Sequence, residues 1–113
     1  MTDREIFQKN LTELMRVTKV KQIDLAKYVD VSYQTVSALV TGRGYPKPET
    51  MEKICQFFGI KKRELLEYED DTQESSLIRL YRTLSNEGKQ KLIERAYELT
   101  RLYPKRRNPD VEA

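Results

Sequence analysis

The segment from Gln22 to Leu39 constrains the fold of this chain most, because its apolar residues predict two short helices close to each other. The residues of their shared inner face are Leu25, Val29, Val31, Val36 and Leu39. Ala26 falls where the second helix must cross the first closely, and only a small side chain fits such a crossing. The segment therefore predicts a compact helix pair.

The turn between these helices must be tight. Ser32 is a predicted N-cap, since its side-chain oxygen can accept a hydrogen bond from a backbone N–H two or three residues later. The second helix should then begin at Tyr33, which leaves Asp30 and Val31 as the connection. Two helices that meet through a turn of this length form a helix-turn-helix arrangement, whose second helix is suited to the DNA major groove.

The same residues carry a resemblance to a known family. With Gln22 opening the first helix, Ala26 at the crossing and Gly42 just beyond the second helix, the segment resembles the Xre/Cro family of phage-type repressors. The resemblance covers residues 3–67 and implies an all-α, five-helix, repressor-like DNA-binding domain. Further matches to the family are Phe7, Leu11, Leu14, Val20, residues 48–58, Gly59, Ile60 and residues 64–66.

Two positions depart from the family's pattern. Asp30 stands in the turn where the family usually has Gly, and Lys21 stands where a Ser or Thr cap is usual. Asp tolerates the left-handed backbone conformation better than most residues, so the turn should survive at some cost. Both departures predict a less stable domain with the same fold.

Charge divides the chain into three parts. Residues 1–66 carry 12 Lys or Arg against 8 Asp or Glu, residues 67–75 carry 5 acids and no base, and residues 76–113 carry 9 bases against 5 acids. An acidic run between two basic parts is typical of a linker. We therefore predict a helix-turn-helix domain at 1–67, an acidic linker at 68–75, a helical hairpin at 76–103 and a disordered, proline-containing tail at 104–113.

The predicted hairpin consists of two amphipathic helices. Ser75 or Ser76 can cap the first helix, and the second can start after Ser85 and must end before Pro104. The apolar positions of the two helices are Leu77, Leu80, Tyr81, Leu84, Leu92, Ile93, Ala96, Leu99 and Tyr103.

Such a hairpin needs a partner, because about thirty residues cannot bury enough apolar surface to be stable alone. The partner can be the N-terminal domain of the same chain or the same hairpin of a second chain. We favour the homodimer, since the linker would hold the hairpin away from the first domain and since repressors of this type read two-fold operators. Leu92, Ala96 and Leu99 are the residues that we expect at the dimer interface.

Helix geometry predicts which residues of the second helix face DNA. If its apolar residues point inward, Tyr33, Gln34 and Ser37 lie on the opposite face. Gln34 can offer both a donor and an acceptor to the edge of an adenine. Tyr33 can stack on a thymine methyl group or bond a phosphate, and the sequence does not separate these two roles.

The family resemblance implies further contacts to the DNA backbone. Gln22 and Ser32 match positions that bond phosphate oxygens, assisted by backbone amides at the helix start. Thr41, Arg43 and Lys47 lie in the loop after the second helix, where the family often makes additional backbone contacts. The predicted partner is double-stranded DNA with an inverted-repeat operator.

Composition leaves little room for an enzyme. The chain has no histidine, so histidine-based catalytic triads and most zinc sites are not available. The carboxylates of the acidic run lack the alternating spacing and the glycine of an EF-hand loop. We predict no catalytic residue, no metal site and no cofactor.

The compartment is predicted from what the sequence contains at its start and from its single cysteine. No apolar run approaches the length of a membrane span, and the first residues have no signal-peptide character. Cys55 cannot form an internal disulfide, and it falls on the apolar stripe of Met51, Ile54 and Phe58. These features predict a cytoplasmic protein with a buried thiol.

These observations together predict a sequence-specific transcriptional regulator, a dimeric repressor of phage or mobile-element type in a bacterial cell that acts by promoter occlusion. One alternative is an antitoxin or a restriction-modification controller, whose hairpin or tail would bind a protein. Another is a helix-turn-helix module for protein interaction without an operator. Gln34 and Tyr33 beside Arg43 and Lys47 argue against the last alternative.

Overall fold

The computed structural model describes residues 1–69 and 72–105, and within these residues the chain forms helices and no strand. The helices are α1 (Asp3–Thr18), α2 (Gln22–Val29), α3 (Tyr33–Val40), α4 (Pro48–Phe58), α5 (Arg63–Leu66), α6 (Gln73–Arg82) and α7 (Asn86–Leu102). The predicted all-α fold is confirmed. The chain divides into two compact units, with the boundary between Thr83 and Leu84.

Helices α1 to α5 enclose one apolar core in the first unit. Its largest fully buried side chains are Phe7, Leu11, Leu25, Val29, Val36, Ile54 and Leu65. The inner face predicted for the helix pair is therefore buried, with Val31 partly buried against the same core. Cys55 is buried as well, and this burial raises the pKa of its thiol.

The connection between α2 and α3 has the predicted geometry. Asp30 adopts the left-handed conformation with φ 57° and ψ 50°, and its backbone N–H donates to the Ala26 carbonyl. The Ser32 side chain accepts a hydrogen bond from the Thr35 backbone N–H at 3.1 Å, and α3 begins at Tyr33. The predictions for the cap, the helix start and the backbone of Asp30 are confirmed.

Ala26 is 4% exposed in the core of this helix pair. We expect Ala26→Leu to lower the free energy of unfolding by about 1–3 kcal/mol, because three additional carbon atoms must enter a closely packed site. Chemical denaturation measures this change. Lys27→Leu is the control, since Lys27 is the exposed neighbour on the same helix. An Ala26→Leu variant as stable as the control would mean that the two helices are not in close contact there.

The sequence predicts the start of α7 correctly but not the start of α6. Helix α7 starts after Ser85, whose side chain accepts from the Gly88 backbone N–H at 3.2 Å, as predicted. Helix α6 starts earlier than predicted: its N-cap is Thr72, which accepts from the Ser75 backbone N–H at 3.1 Å. The prediction of Ser75 or Ser76 as the cap was wrong, because three hydroxyl residues within five positions all suit a cap and local pattern does not rank them. The end of the predicted linker is therefore helical.

Most apolar residues of α6 and α7 face solvent, and none of the residues described in these helices is buried. The large exposed ones are Leu77, Ile78, Leu80, Tyr81, Ile93, Tyr97, Leu99 and Leu102. No described helix has the length and the apolar character that a membrane crossing requires. Of the predicted tail, residues 106–113 lie outside the described part of the chain, as do Asp70 and Asp71 of the predicted linker.

Candidate nucleic-acid interface

One face of α3 is open to solvent and the other forms part of the core. Val36 and Leu39 are buried, whereas Tyr33 and Gln34 are exposed and Ser37 is half-buried. The helix contains no charged residue. Its outer face therefore offers an amide, a phenol and a hydroxyl as hydrogen-bonding groups, without a charge that would dominate them.

The N-terminus of α3 adjoins that of α2 across an open depression of about 560 Å³. Gln22 and Tyr33, two of the predicted contact residues, both line it, together with Lys21 and Arg16. Gln22 is half-buried, and its side-chain Oε1 is buried without a hydrogen-bond partner among the described residues. The depression thus combines a partly unsatisfied amide with two basic side chains.

Arg16 and Lys21 were missed as site residues in the sequence. Arg16 forms an ion pair with Glu13 at 2.7 Å, which raises the pKa of the guanidinium, and most of its side chain remains exposed. Lys21 is the N-cap of α2 and makes no capping hydrogen bond through its side chain. The sequence contains one signal for this role, because Lys21 is a basic residue directly before Gln22 at a position where a Ser or Thr cap is usual.

The starts of α2, α3 and α4 differ in how they are capped. Ser32 caps α3 with its side chain, whereas the N-cap residues of α2 and α4 are Lys21 and Lys47, neither of which forms a side-chain capping bond. The first N–H groups of a helix lack intrahelical partners and carry a partial positive charge. A lysine at such a start adds positive charge, a combination that suits a phosphate.

The loop after α3 is held in a defined conformation. The backbone N–H groups of Arg43 and Gly44 both donate to the Ala38 carbonyl, at 2.9 and 3.0 Å. Gly42 has φ +79°, and a Cβ there would lie 2.7 Å from the side-chain Oε1 of Gln8. The left-handed backbone conformation therefore favours glycine at this position, and a larger residue would also have to displace the flexible Gln8 side chain.

This loop carries three of the predicted contact residues, all exposed: Thr41, Arg43 and Lys47. Thr41 Oγ1 donates to the Ser37 carbonyl at 2.8 Å and accepts from Arg43 Nε at 3.0 Å. The guanidinium of Arg43 is thereby oriented near the end of α3, with its terminal nitrogens available to an anion. Lys47 follows at the start of α4.

The helix α3 is neutral, exposes hydrogen-bonding side chains and has basic residues beside it. This arrangement matches that of protein–DNA interfaces. Basic groups and helix starts bind phosphates, and polar side chains of a helix read base edges. Together with the short turn at Asp30, these features define a helix-turn-helix DNA-binding protein.

Comparison with known proteins supports this class and identifies the family. The model of the Cro/C1-type HTH DNA-binding domain matches residues 10–71, more than half of the chain. The chain therefore belongs to this family, as its resemblance to Xre/Cro repressors predicted, and it is a DNA-binding transcriptional regulator.

One similar protein agrees with this assignment in sequence, and a second agrees with the fold. An uncharacterized HTH-type transcriptional regulator of Methanocaldococcus jannaschii is 44% identical over 50 residues, which cover 44% of this chain and 76% of that protein. The crystal structure of a transcriptional regulator from Listeria innocua aligns over 88% of this chain and 96% of its own length, with a TM-score of 0.52 and 23% identity. The second similarity concerns the fold alone.

Proposed function

We propose that this protein is a dimeric repressor that binds an inverted-repeat operator and excludes RNA polymerase from an overlapping promoter. The observation that carries the proposal is the outer face of α3, with Tyr33 and Gln34 exposed between basic groups. Its ligand would be DNA inside the cell, so we expect a cytoplasmic location. Occlusion needs no ligand pocket or cofactor, only stable occupation of the promoter.

Gln34 is the residue to which we assign base recognition. It lies one residue after the start of α3, and the N-terminal residues of a recognition helix are those that reach base edges. Its amide can donate to and accept from one adenine at the same time. Tyr33 and Ser37 share the outer face, where we assign them contacts to a neighbouring base or phosphate.

The remaining site residues are assigned to the phosphates. Gln22 and Ser32 lie at the starts of α2 and α3, where the peptide dipoles also favour an anion. The Ser32 hydroxyl retains a hydrogen to donate whenever Thr35 Oγ1 is the donor in their 2.9 Å contact. Thr41, Arg43 and Lys47 would contact the backbone on the other side of α3 from Gln22.

The dimer would form through the C-terminal helices. Leu92 of α7 is half-buried in the single chain, and Ala96 and Leu99 are exposed. Each of these helices exposes several large apolar side chains, more than a solvated surface requires, and this exposure supports the proposal of an interaction site. We propose a second copy of the chain as the partner, because a two-fold operator has two equivalent half-sites.

The salt dependence of DNA binding tests this assignment. We expect the Arg43→Ala/Lys47→Ala variant to weaken binding to all duplexes alike and to flatten the plot of log affinity against log salt by about 0.9 for each phosphate contact removed. Fluorescence anisotropy over a salt series measures both effects. Lys89→Ala/Lys91→Ala removes the same charge from α7 and should leave the slope nearly unchanged. Equal slopes for the two variants, or a wild-type protein without salt-dependent binding, would contradict the phosphate assignment.

A further inference from the structure

Helix α6 is oriented against the usual amphipathic pattern. A surface helix normally buries its apolar stripe and exposes its polar face. In α6 the less exposed positions are Ser75, Ser76, Arg79 and Arg82. Its apolar side chains point outward, with exposed fractions from 55% for Leu77 to 37% for Tyr81. Helix α6 therefore contacts the rest of the first unit through polar side chains, while the apolar side chains of Leu77, Ile78 and Leu80 are exposed.

Four charged residues provide these polar contacts. Arg79 Nε lies 3.2 Å from Glu69 Oε2, Arg82 Nη1 donates to Glu69 Oε1 at 3.1 Å, and Arg82 Nε lies 3.5 Å from Glu64 Oε1. The Arg79 side chain is only 11% exposed. We call Glu64, Glu69, Arg79 and Arg82 the α6 clamp. Such a partly buried network is less screened by salt than isolated surface pairs.

The backbone that bears one half of the clamp is itself fixed to α1. Asn10 is 3% exposed, and its Nδ2 donates to the carbonyls of Leu65 at 3.0 Å and Glu67 at 2.9 Å. Lys9 Nζ donates to the Glu69 carbonyl at 2.7 Å. Helix α1 also contacts α3 and α5. Contacts through α1 and Glu69 thus connect α3 to Arg79 and Arg82 of α6.

We propose that the α6 clamp is a positioning device that sets the spacing between the two half-sites that the dimer accepts. The inference rests on the proposed dimeric operator binding, in which the outward apolar side of α6 contacts a second copy. Arg79 and Arg82 are positioning residues, because they would act on DNA only through the orientation of α6.

The physical reason is the difference between a rigid and a flexible connection. A flexible connection tolerates many spacings, because the effective concentration of the second domain falls only gradually with distance. A rigid connection does not, since each base pair added between the half-sites rotates one of them by about 35° around the duplex. With α6 held in the first unit, the recognition helices should match one spacing. A spacer longer by a full turn restores the rotation but moves the second half-site about 34 Å further away, so it should bind weakly as well.

The experiment uses the intact chain on a series of duplexes whose two half-sites are separated by a spacer that increases by one base pair at a time. For the wild-type protein we expect binding to weaken by about tenfold or more when the spacer departs by a few base pairs from the optimum. In the Arg79→Gln/Arg82→Gln variant this difference should fall below about threefold, while affinity for a single half-site and the sedimentation of the dimer stay unchanged.

A matched control separates the clamp from charge in general. Lys91→Gln/Arg95→Gln also removes two positive charges and breaks two ion pairs, both on the exposed surface of α7. It should keep the wild-type preference for one spacing. If the clamp variant loses half-site binding and therefore its fold, Glu69→Gln decides by the same comparison, because it leaves Arg82 paired with Glu64.

The outcomes distinguish the two proposals. A clamp variant that folds and keeps the wild-type spacing preference overturns the positioning role and leaves the repressor proposal intact. A wild-type protein that binds all spacings equally, or that binds two half-sites no better than one, overturns the proposed dimeric operator binding itself. Loss of spacing preference in the control to the same extent as in the clamp variant also overturns the clamp.

Discussion

The Leu99→Asp variant is expected to bind the operator about 100-fold or more weakly than the wild-type protein, because it should no longer dimerise. Leu99 is exposed on α7 in the single chain, and we assign it to the interface with a second copy. An unpaired carboxylate in an apolar interface is strongly unfavourable. Without the dimer, each domain binds one half-site independently, and the advantage of a linked second contact is lost.

Sedimentation and operator binding of the same samples measure this effect. Gln90→Asp is the control, since it adds the same charge to α7 on the side of the helix away from Leu92, Ala96 and Leu99. The control should remain dimeric and bind normally. If the wild-type chain is monomeric at micromolar concentration, or if Leu99→Asp dimerises and binds as tightly as the control, the interface is assigned wrongly.

Gln34→Ala is expected to lower operator affinity by about 1–3 kcal/mol, roughly 5- to 150-fold, and to relax the preference at one base pair. The reason is that the amide of Gln34 is exposed near the start of α3, where it can bond one adenine through two hydrogen bonds. Competition among duplexes that vary at single positions measures both the loss and the base pair concerned.

The matched control for this change is Gln56→Ala, which removes an amide from α4 that is also exposed. It should leave both affinity and base preference unchanged. For Gln34→Ala, affinity for random duplex should stay close to the wild-type value, since the amide carries no charge. A loss of the same size on operator and random DNA would assign Gln34 to the backbone instead of a base.

The DNA-binding fold was predictable because its determinants are local. The bounds of α4, Pro48–Phe58, agree with the sequence, where proline suits the first helical turn and Gly59 supplies the left-handed end with φ +66°. The turn before Ser32 was predictable for the same reason, since one cap and one residue that tolerates positive φ define it.

The contacts that join α6 to the first unit were not predictable, because they link residues far apart in the sequence. Asn10 bonds the Leu65 and Glu67 carbonyls over more than fifty residues, and no period or local motif marks such a pair. The composition of the acidic run is typical of a linker, yet Glu69 within it forms ion pairs with Arg79 and Arg82. Charge along the sequence reports composition, and only the fold determines which charges meet.

The candidate site was predictable in its exposed face but not in its surroundings. Tyr33 and Gln34 follow from the period of the helix, since buried Val36 and Leu39 determine which side is outward. Arg16 comes close to Gln22 only because the end of α1 lies beside the start of α2. This proximity depends on how three helices pack together, and the period of apolar residues within one helix does not predict that packing.

The most direct test of the central claim is a comparison of two affinities of the intact protein at one salt concentration. The preferred duplex is first selected from a random pool, and its affinity is then measured beside that of a shuffled duplex of equal length and composition. We expect an inverted repeat among the selected sequences and binding about 1,000-fold or more tighter than to the shuffled duplex. No enrichment from the pool, or equal affinity for the two duplexes, would contradict sequence-specific regulation by this protein.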